Sequence, residues 1–307
     1  MTRIHPLAMV IGAAALVAAM PLAHAQTPPS GALARIAAAG RIRLGYRVDA
    51  RPFSYRDESG NPAGYSIALC QNIADAVKGS VRNPALTVEW VPVTAPGRFD
   101  AVRQGSIDML CGADTVTLER RGAVAFSIPI FPGGVGVLLR SDAPVRLRDV
   151  LSGKGQAFHP TWRASATQVL QARAFSAVTG TTAEKWLTGR IDELKVVTTV
   201  VPVPTYQAGV DAVLARRTDA LFGERAILLD AARRHAATRD LIVIDRLFSY
   251  EPLALALAPN DEPFRLLVDR TLTRFYTSGE LTGLYTKWFG EPDESAVSFF
   301  RWTTVPD

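Results

Sequence analysis

The densest set of groups able to do chemistry lies in Ile107-Asp108-Met109-Leu110-Cys111-Gly112-Ala113-Asp114-Thr115-Val116-Thr117-Leu118-Glu119-Arg120-Arg121, with Phe126-Ser127 close behind. Its apolar start predicts a strand, its small polar centre a loop, and its end a short helix carrying two arginines. A strand, loop and helix start in that order gather backbone N–H groups, hydroxyls and a guanidinium around one small volume. The chemistry suited to such a volume is noncovalent capture of an anion. A carboxylate fits best, because a guanidinium can meet it with two parallel hydrogen bonds where a lysine cannot. The competing use of Arg120 is an ordinary ion pair with Glu119 or Asp114.

Strand and helix signals alternate along most of the chain, which predicts an α/β fold to position this segment. Ile42 to Tyr46 reads as a strand, and Pro52-Phe53-Ser54-Tyr55 continues extended towards a turn at Asp57 to Asn61. After Gly64-Tyr65, Ile67, Cys70, Ile73, Ala74 and Val77 mark the buried face of a helix, with Ser66 as its expected cap. Leu86, Val88 and Trp90 alternate as a half-buried strand, and Arg98 to Gln104 forms a short helix stopped by Gly105. Ile107 to Cys111 and Gly134 to Leu139 are further strands, and a change of domain is expected at Ser141 to Pro144. Beyond it, strands are expected at Phe175 to Val178, Lys195 to Val203, Asp219 to Phe222 and Leu241 to Ile244. Helices are expected around Trp186 to Leu194, at Ala208 to Ala215 and at Glu224 to Ala236. A second crossing is expected near Phe248 to Pro252, then a buried strand, Pro252 to Pro259. Two helices broken at Ser278-Gly279 follow. Positions 155–174 fit the rhythm poorly and read as an insertion.

The N-terminus decides the compartment. Arg3, an apolar run from Leu7 to Leu22 and Ala23-His24-Ala25 before Gln26 form a charged region, an apolar region and a cleavage site, so residues 1–25 read as a secretory signal peptide. About 280 residues then remain, enough for two domains with full cores. The +5 net charge is modest and its basic residues are scattered, which excludes nucleic acid as the expected partner. The two cysteines, Cys70 and Cys111, are allowed a disulfide in an oxidising space, and the rival reading is two buried thiols. No metal site is expected: His159 and His235 remain after processing, far apart and without ligand spacing.

An ordered set of these segments resembles the periplasmic amino-acid-binding proteins of ABC transporters, solute-binding family 3. It comprises Arg41 to Tyr46, Pro52 to Tyr55, Gly64-Tyr65, Arg98 to Asp108, Thr117 to Arg120 with Phe126-Ser127, Gly180-Thr181-Thr182, Asp219-Ala220, Gly279 and Lys287 to Gly290. The resemblance implies the type II periplasmic binding protein fold: two α/β lobes joined by a two-strand hinge, with ligand in the cleft between them. The expected lobes are 26–140 with 250–307, and 141–249. It implies a small amino acid and a membrane permease as partners, a periplasmic monomer, no cofactor and no catalysis. In such proteins Arg120 resembles the arginine that holds the α-carboxylate, with Thr115 and Thr182 as hydroxyl contacts. Glu224 resembles the acid that pairs with the ligand ammonium. Thr182 could equally cap its helix, and Glu224 could serve its helix dipole.

Gly45-Tyr46-Arg47 with Pro52 to Tyr55, and Cys111-Gly112, most resemble the glutamate/aspartate-binding members. There Arg47 and Arg98 would meet the ligand's side-chain carboxylate, and two arginines in one cleft are costly to bury without an anion. Ser66 and Ala68, Ala95 and Ala113, and Tyr206 at a position held by histidine depart from those members. Tyr206 remains an expected ligand contact. Two other readings share the scaffold: a secreted cyclohexadienyl or arogenate dehydratase with Asp114 or Glu224 as acid, and a sensor that presents ligand to a separate receptor.

Overall fold

The computed structural model describes residues 31–154 and 168–306. The expected leader at 1–25 and positions 155–167 of the expected insertion, with His159, lie outside the described residues. The strands are β1 (Arg41–Arg47), β2 (Asp49–Ala50), β3 (Ser54–Arg56), β4 (Pro62–Ala63), β5 (Thr87–Val93), β6 (Met109–Thr115) and β7 (Ala125–Phe126). They continue as β8 (Phe131–Gly133), β9 (Val135–Arg140), β10 (Ala174–Val178), β11 (Thr199–Val203), β12 (Ala220–Glu224), β13 (Leu241–Val243) and β14 (Glu251–Leu257).

Two sheets make two lobes. The first runs β5-β1-β6-β14-β7, with β8 also paired to β14, and the second runs β11-β10-β12-β9-β13. In each, three strands are parallel (β5, β1, β6 and β11, β10, β12) and the strand that returns beside them is antiparallel. Strands buried on both faces need continuous apolar runs. Leu253 to Leu257 supplies one, fully buried at the centre of the first sheet.

The crossing between lobes comes earlier than expected. The change of domain read at Ser141 to Pro144, with residues up to 140 in the first lobe, is corrected. Val135 to Leu139 is apolar and fits a central position in the second sheet, where β9 pairs with both β12 and β13. The chain therefore leaves the first lobe at Gly133-Gly134. It returns through Ser249-Tyr250: Phe248 N–H donates to Val135 O (2.8 Å), and Glu251 already pairs with Gly133 in the first sheet. The two crossings lie side by side, so close that a Cβ on Gly134 would sit 2.2 Å from Ser249 O.

Ser66 is not the cap of its helix. The helix Tyr65–Ser80 starts behind Gly64, whose φ is 133° and where a Cβ would sit 2.2 Å from Phe53 O, so no side chain fits. Main-chain carbonyls of Pro52 and Phe53 take the N–H groups of Tyr65 and Ser66, so the Ser66 hydroxyl is free to donate to Gly112 O (2.9 Å). The five apolar positions read as one buried face of this helix are all buried. The strand expected at 107–111 is β6, which runs on through the segment read as a loop. Pairing with β14 carries its ladder to Thr115, and only Val116-Thr117 remain before the helix Leu118–Arg121, which Thr117 caps.

Phe53, Tyr65, Phe131 and Phe289 pack edge-on or tilted against one another and lock the C-terminal helices under β8. The helices Glu262–Thr277 and Glu280–Phe289 break at Ser278-Gly279, and a further helix, Glu294–Thr303, follows. No helix among the described residues is long and apolar enough to cross a membrane. Cys70 and Cys111 form a disulfide (Cα–Cα 6.2 Å) that fastens the helix Tyr65–Ser80 to β6. Its loop closure contributes about 3–4 kcal/mol in the chain-entropy picture. The double variant Cys70→Ala/Cys111→Ala should lower the urea-unfolding free energy by about that amount, and an unchanged midpoint would show that the bond constrains nothing.

Candidate functional site

Ligands of open α/β sheets bind beyond the carboxyl ends of the parallel strands. Here the two sets of ends face each other. Arg47 ends β1, Thr115 ends β6 and Arg98 opens the helix that follows β5. Opposite them, Glu224 ends β12, while Thr182 and Tyr206 open the helices after β10 and β11. The structure brings all seven residues to one chamber, with Ala50, Ala113, Thr181 and Glu251 completing its wall. The free volume is about 20 Å³, room for roughly one water. The lobes are thus closed on each other, leaving no room in the chamber for an amino acid.

Contacts across the cleft show the same closure. Thr115 Oγ1 lies 3.3 Å from Thr182 Oγ1, and Arg98 Nη1 donates to Gly180 O at 3.3 Å. At the rim, Lys185 pairs with Glu119 and Arg51 pairs with Asp230 (3.2 Å).

The three arginines differ in how far they are already satisfied. Arg98 is buried, with Nε 2.5 Å from Asp114 Oδ1 and Nη1 also donating to Ala95 O. Arg47 is buried beside Asp49, whose Oδ1 lies 2.8 Å from Nε and 2.6 Å from Nη2. Arg120 alone of the three has no carboxylate within ion-pair distance among the described residues; its Nη1 donates to Thr115 O (2.8 Å) and its guanidinium lies over the Phe99 ring. Neither ion pair weighed for Arg120 forms, because Glu119 turns to Lys185 and Asp114 to Arg98. The capping role weighed for Thr182 falls to Thr181, whose hydroxyl accepts from Glu184 N–H. That leaves Thr182 Oγ1 free to donate to Glu251 Oε2 at 2.6 Å.

Glu224 does cap its helix: Oε1 accepts from Ala226 N–H (3.3 Å) while Oε2 accepts from Gly134 N–H (2.9 Å) on the hinge. Glu251 is the functional residue that sequence reasoning missed. It sits on the returning crossing, also accepting from Ser249 Oγ (2.7 Å). Its signal was a lone acid opening an otherwise apolar strand at the expected hinge.

Residues 42–291 match the family described as bacterial extracellular solute-binding proteins, family 3. This chain belongs to that family. Among its relatives is the L-glutamate/L-aspartate-binding protein of Pseudomonas aeruginosa, 29% identical over 86% of this chain and 81% of that one. The glutamate/aspartate import solute-binding protein of Escherichia coli is 27% identical over 93% and 88%. The ABC transporter glutamine-binding protein of Bacillus subtilis is 24% identical over 84% and 85%. The fold agrees with solved structures of the type II periplasmic binding class. The cysteine-binding protein of Campylobacter jejuni has a TM-score of 0.69 at 21% identity, covering 87% of this chain and 97% of that one. An ancestral amino-acid-binding protein, a precursor of cyclohexadienyl dehydratase, gives 0.68 at 23%, covering 85% and 100%.

In this solute-binding protein the chamber perturbs its own charges. Burial, helped by the nearby Arg98, pulls Arg120 down to about 10. Burial, reinforced by the neighbouring Glu251 charge, pushes Glu224 up to about 8 from its ordinary 4.5, against two backbone N–H bonds that favour the anion. The folded state therefore prefers Glu224 protonated. Its contribution to stability is complete below pH 4.5 and is lost as pH climbs through about 8. Denaturant unfolding of the ligand-free protein between pH 5 and 9 should show stability falling with pH. Glu224→Gln should flatten that fall, and an identical profile in the variant would refute the assignment.

Proposed function

We propose that the chain captures a free amino acid in this cleft, outside the cytoplasmic membrane, and presents it to the permease of an ABC transporter. Its leader at 1–25 exports it to the periplasm, where it acts as a monomer. The observation that carries the reading is Arg120: a half-buried guanidinium with no carboxylate within ion-pair distance among the described residues, bonded to the Thr115 carbonyl and sharing the chamber wall with Thr182. That is what an α-carboxylate needs. The ammonium group goes to Glu224, with Glu251 within the same wall. Ligand docks first on Arg120 and Thr115. Closure then brings Thr182 and Glu224 onto it, and the closed shape is what the permease reads.

No bond is made or broken in this cycle. The relatives' names speak for binding proteins and for an acidic ligand. Glu224, an acid held protonated in a desolvated chamber, is the one feature that a dehydratase would also use. Purified protein should therefore return prephenate and arogenate unchanged, and turnover would decide for the enzyme.

Calorimetric titration of the mature chain against the L-amino acids, beginning with glutamate and aspartate, should find a saturable ligand. Arg120→Ala should weaken that ligand by about 100-fold or more, the cost of removing a charge-assisted bidentate partner, with a melting temperature close to wild type. Unchanged affinity would remove Arg120 from the site.

A further inference from the structure

The expectation of an acidic ligand came from the resemblance to glutamate/aspartate-binding members, supported by the cost of burying Arg47 and Arg98 without an anion. The structure supplies the anions itself. We propose that Asp49 and Asp114 set the ligand class: they neutralise Arg47 and Arg98 from within, so the cleft selects an amino acid with an uncharged side chain over glutamate and aspartate. This rests on the reading of the cleft as an amino-acid site.

Asp114 is almost wholly buried, and its Oδ1 is in contact with Arg98 Nε at 2.5 Å. Arg98 spends Nη1 on the carbonyls of Ala95 and Gly180, and its guanidinium carbon lies 4.4 Å from the centre of the Phe99 ring. The charge of that cation is matched within the wall, and among its nitrogens only Nη2 has no partner among the described residues. Asp49 holds Arg47 in the same way, at 2.8 and 2.6 Å, while the Arg47 backbone is pinned by Ser54 Oγ (2.9 Å). Arg47 Nη2 is buried and makes no hydrogen bond of good geometry despite its closeness to Asp49. An amide or hydroxyl oxygen would satisfy it without adding charge.

The charge balance of the wall favours the same answer. Arg47, Arg98 and Arg120 are offset by Asp49, Asp114 and Glu251, with Glu224 protonated. A zwitterion with an uncharged side chain leaves that balance intact. An acidic side chain adds an unmatched negative charge to a closed chamber, at a desolvation cost that no remaining cation offsets. Ionisation of Glu224 to meet the ligand ammonium makes the balance more negative and disfavours an acidic side chain further. A basic side chain would need a free carboxylate in that part of the wall, and Asp49 and Asp114 are both engaged by Arg47 and Arg98.

The test is titration of the mature protein with all twenty L-amino acids, followed by the matched pairs glutamine/glutamate and asparagine/aspartate on variants. The expected tightest ligand is uncharged, and each acidic member binds at least about 10-fold more weakly than its amide, since a site discriminates strongly where its polar groups would be left mismatched. Asp114→Asn leaves Arg98 without its anion, so the preference should move towards glutamate by about 10-fold. Asp49→Asn, at a less buried position, should move it the same way and covers the case in which the Asp114 variant fails to fold. A tightest ligand with an acidic or basic side chain overturns the inference while leaving the amino-acid reading intact. Variants with unchanged preference overturn the roles of Asp49 and Asp114. Absence of heat with every amino acid overturns the reading of the cleft and this inference with it.

Discussion

A guanidinium can be taken out of water only if an anion or a set of acceptors goes with it. Three of them line this closed chamber, and the way each is satisfied organises the rest of the cleft. Arg47 and Arg98 carry aspartates with them. Arg120 makes do with a carbonyl and the face of a phenylalanine ring. The asymmetry separates two arginines paired with carboxylates in the wall from one that is not. Burial and the nearby Arg98 both act against the Arg120 proton.

The scaffold makes this arrangement rigid where it must be and loose where it must move. β6, which carries Asp114 and Thr115, is tied from behind by the Cys111 disulfide and by the Ser66 hydroxyl on Gly112. The hinge strand β8 is embedded through Phe131 in a cluster of aromatic rings. Between the lobes the contacts include a few hydrogen bonds and rim ion pairs, of which Lys185–Glu119 is largely exposed to solvent. Exposed pairs of that kind add little stability, and the apolar contact between lobes comes from buried residues such as Ala50, Tyr206 and Ile227, which belong to one hydrophobic cluster.

Much of the fold was legible because burial leaves a periodic trace. Ile67, Cys70, Ile73, Ala74 and Val77 show a helix face, and Leu253 to Leu257 show a central strand, without knowledge of any partner. The seven residues named for the site converge for a related reason: they sit at or just beyond the ends of the parallel strands, which face one chamber. What stayed hidden depends on segments remote in sequence. The extension of β6 to Thr115 needs β14 beside it. Ser66 loses its cap because the carbonyls of Pro52 and Phe53 arrive first. Asp114 looked like a rival for Arg120, its near neighbour in sequence, yet the helix at Arg98 reaches it instead. Thr181 and Thr182 are one residue apart, and only the turn of the backbone after Gly180 decides which hydroxyl faces its own helix and which faces the cleft.

Glu251 stands on the crossing strand itself, beside Gly133 and one residue from the turn at Ser249-Tyr250. A group at a fulcrum travels little when the two halves swing, whereas Thr182 and Lys185, on the helix Thr182–Leu194, sweep through an arc. Glu251 is thus a fixed post against which both jaws are gauged. On the proposed reading of the cleft, that charge keeps its place whether the jaws stand apart or together.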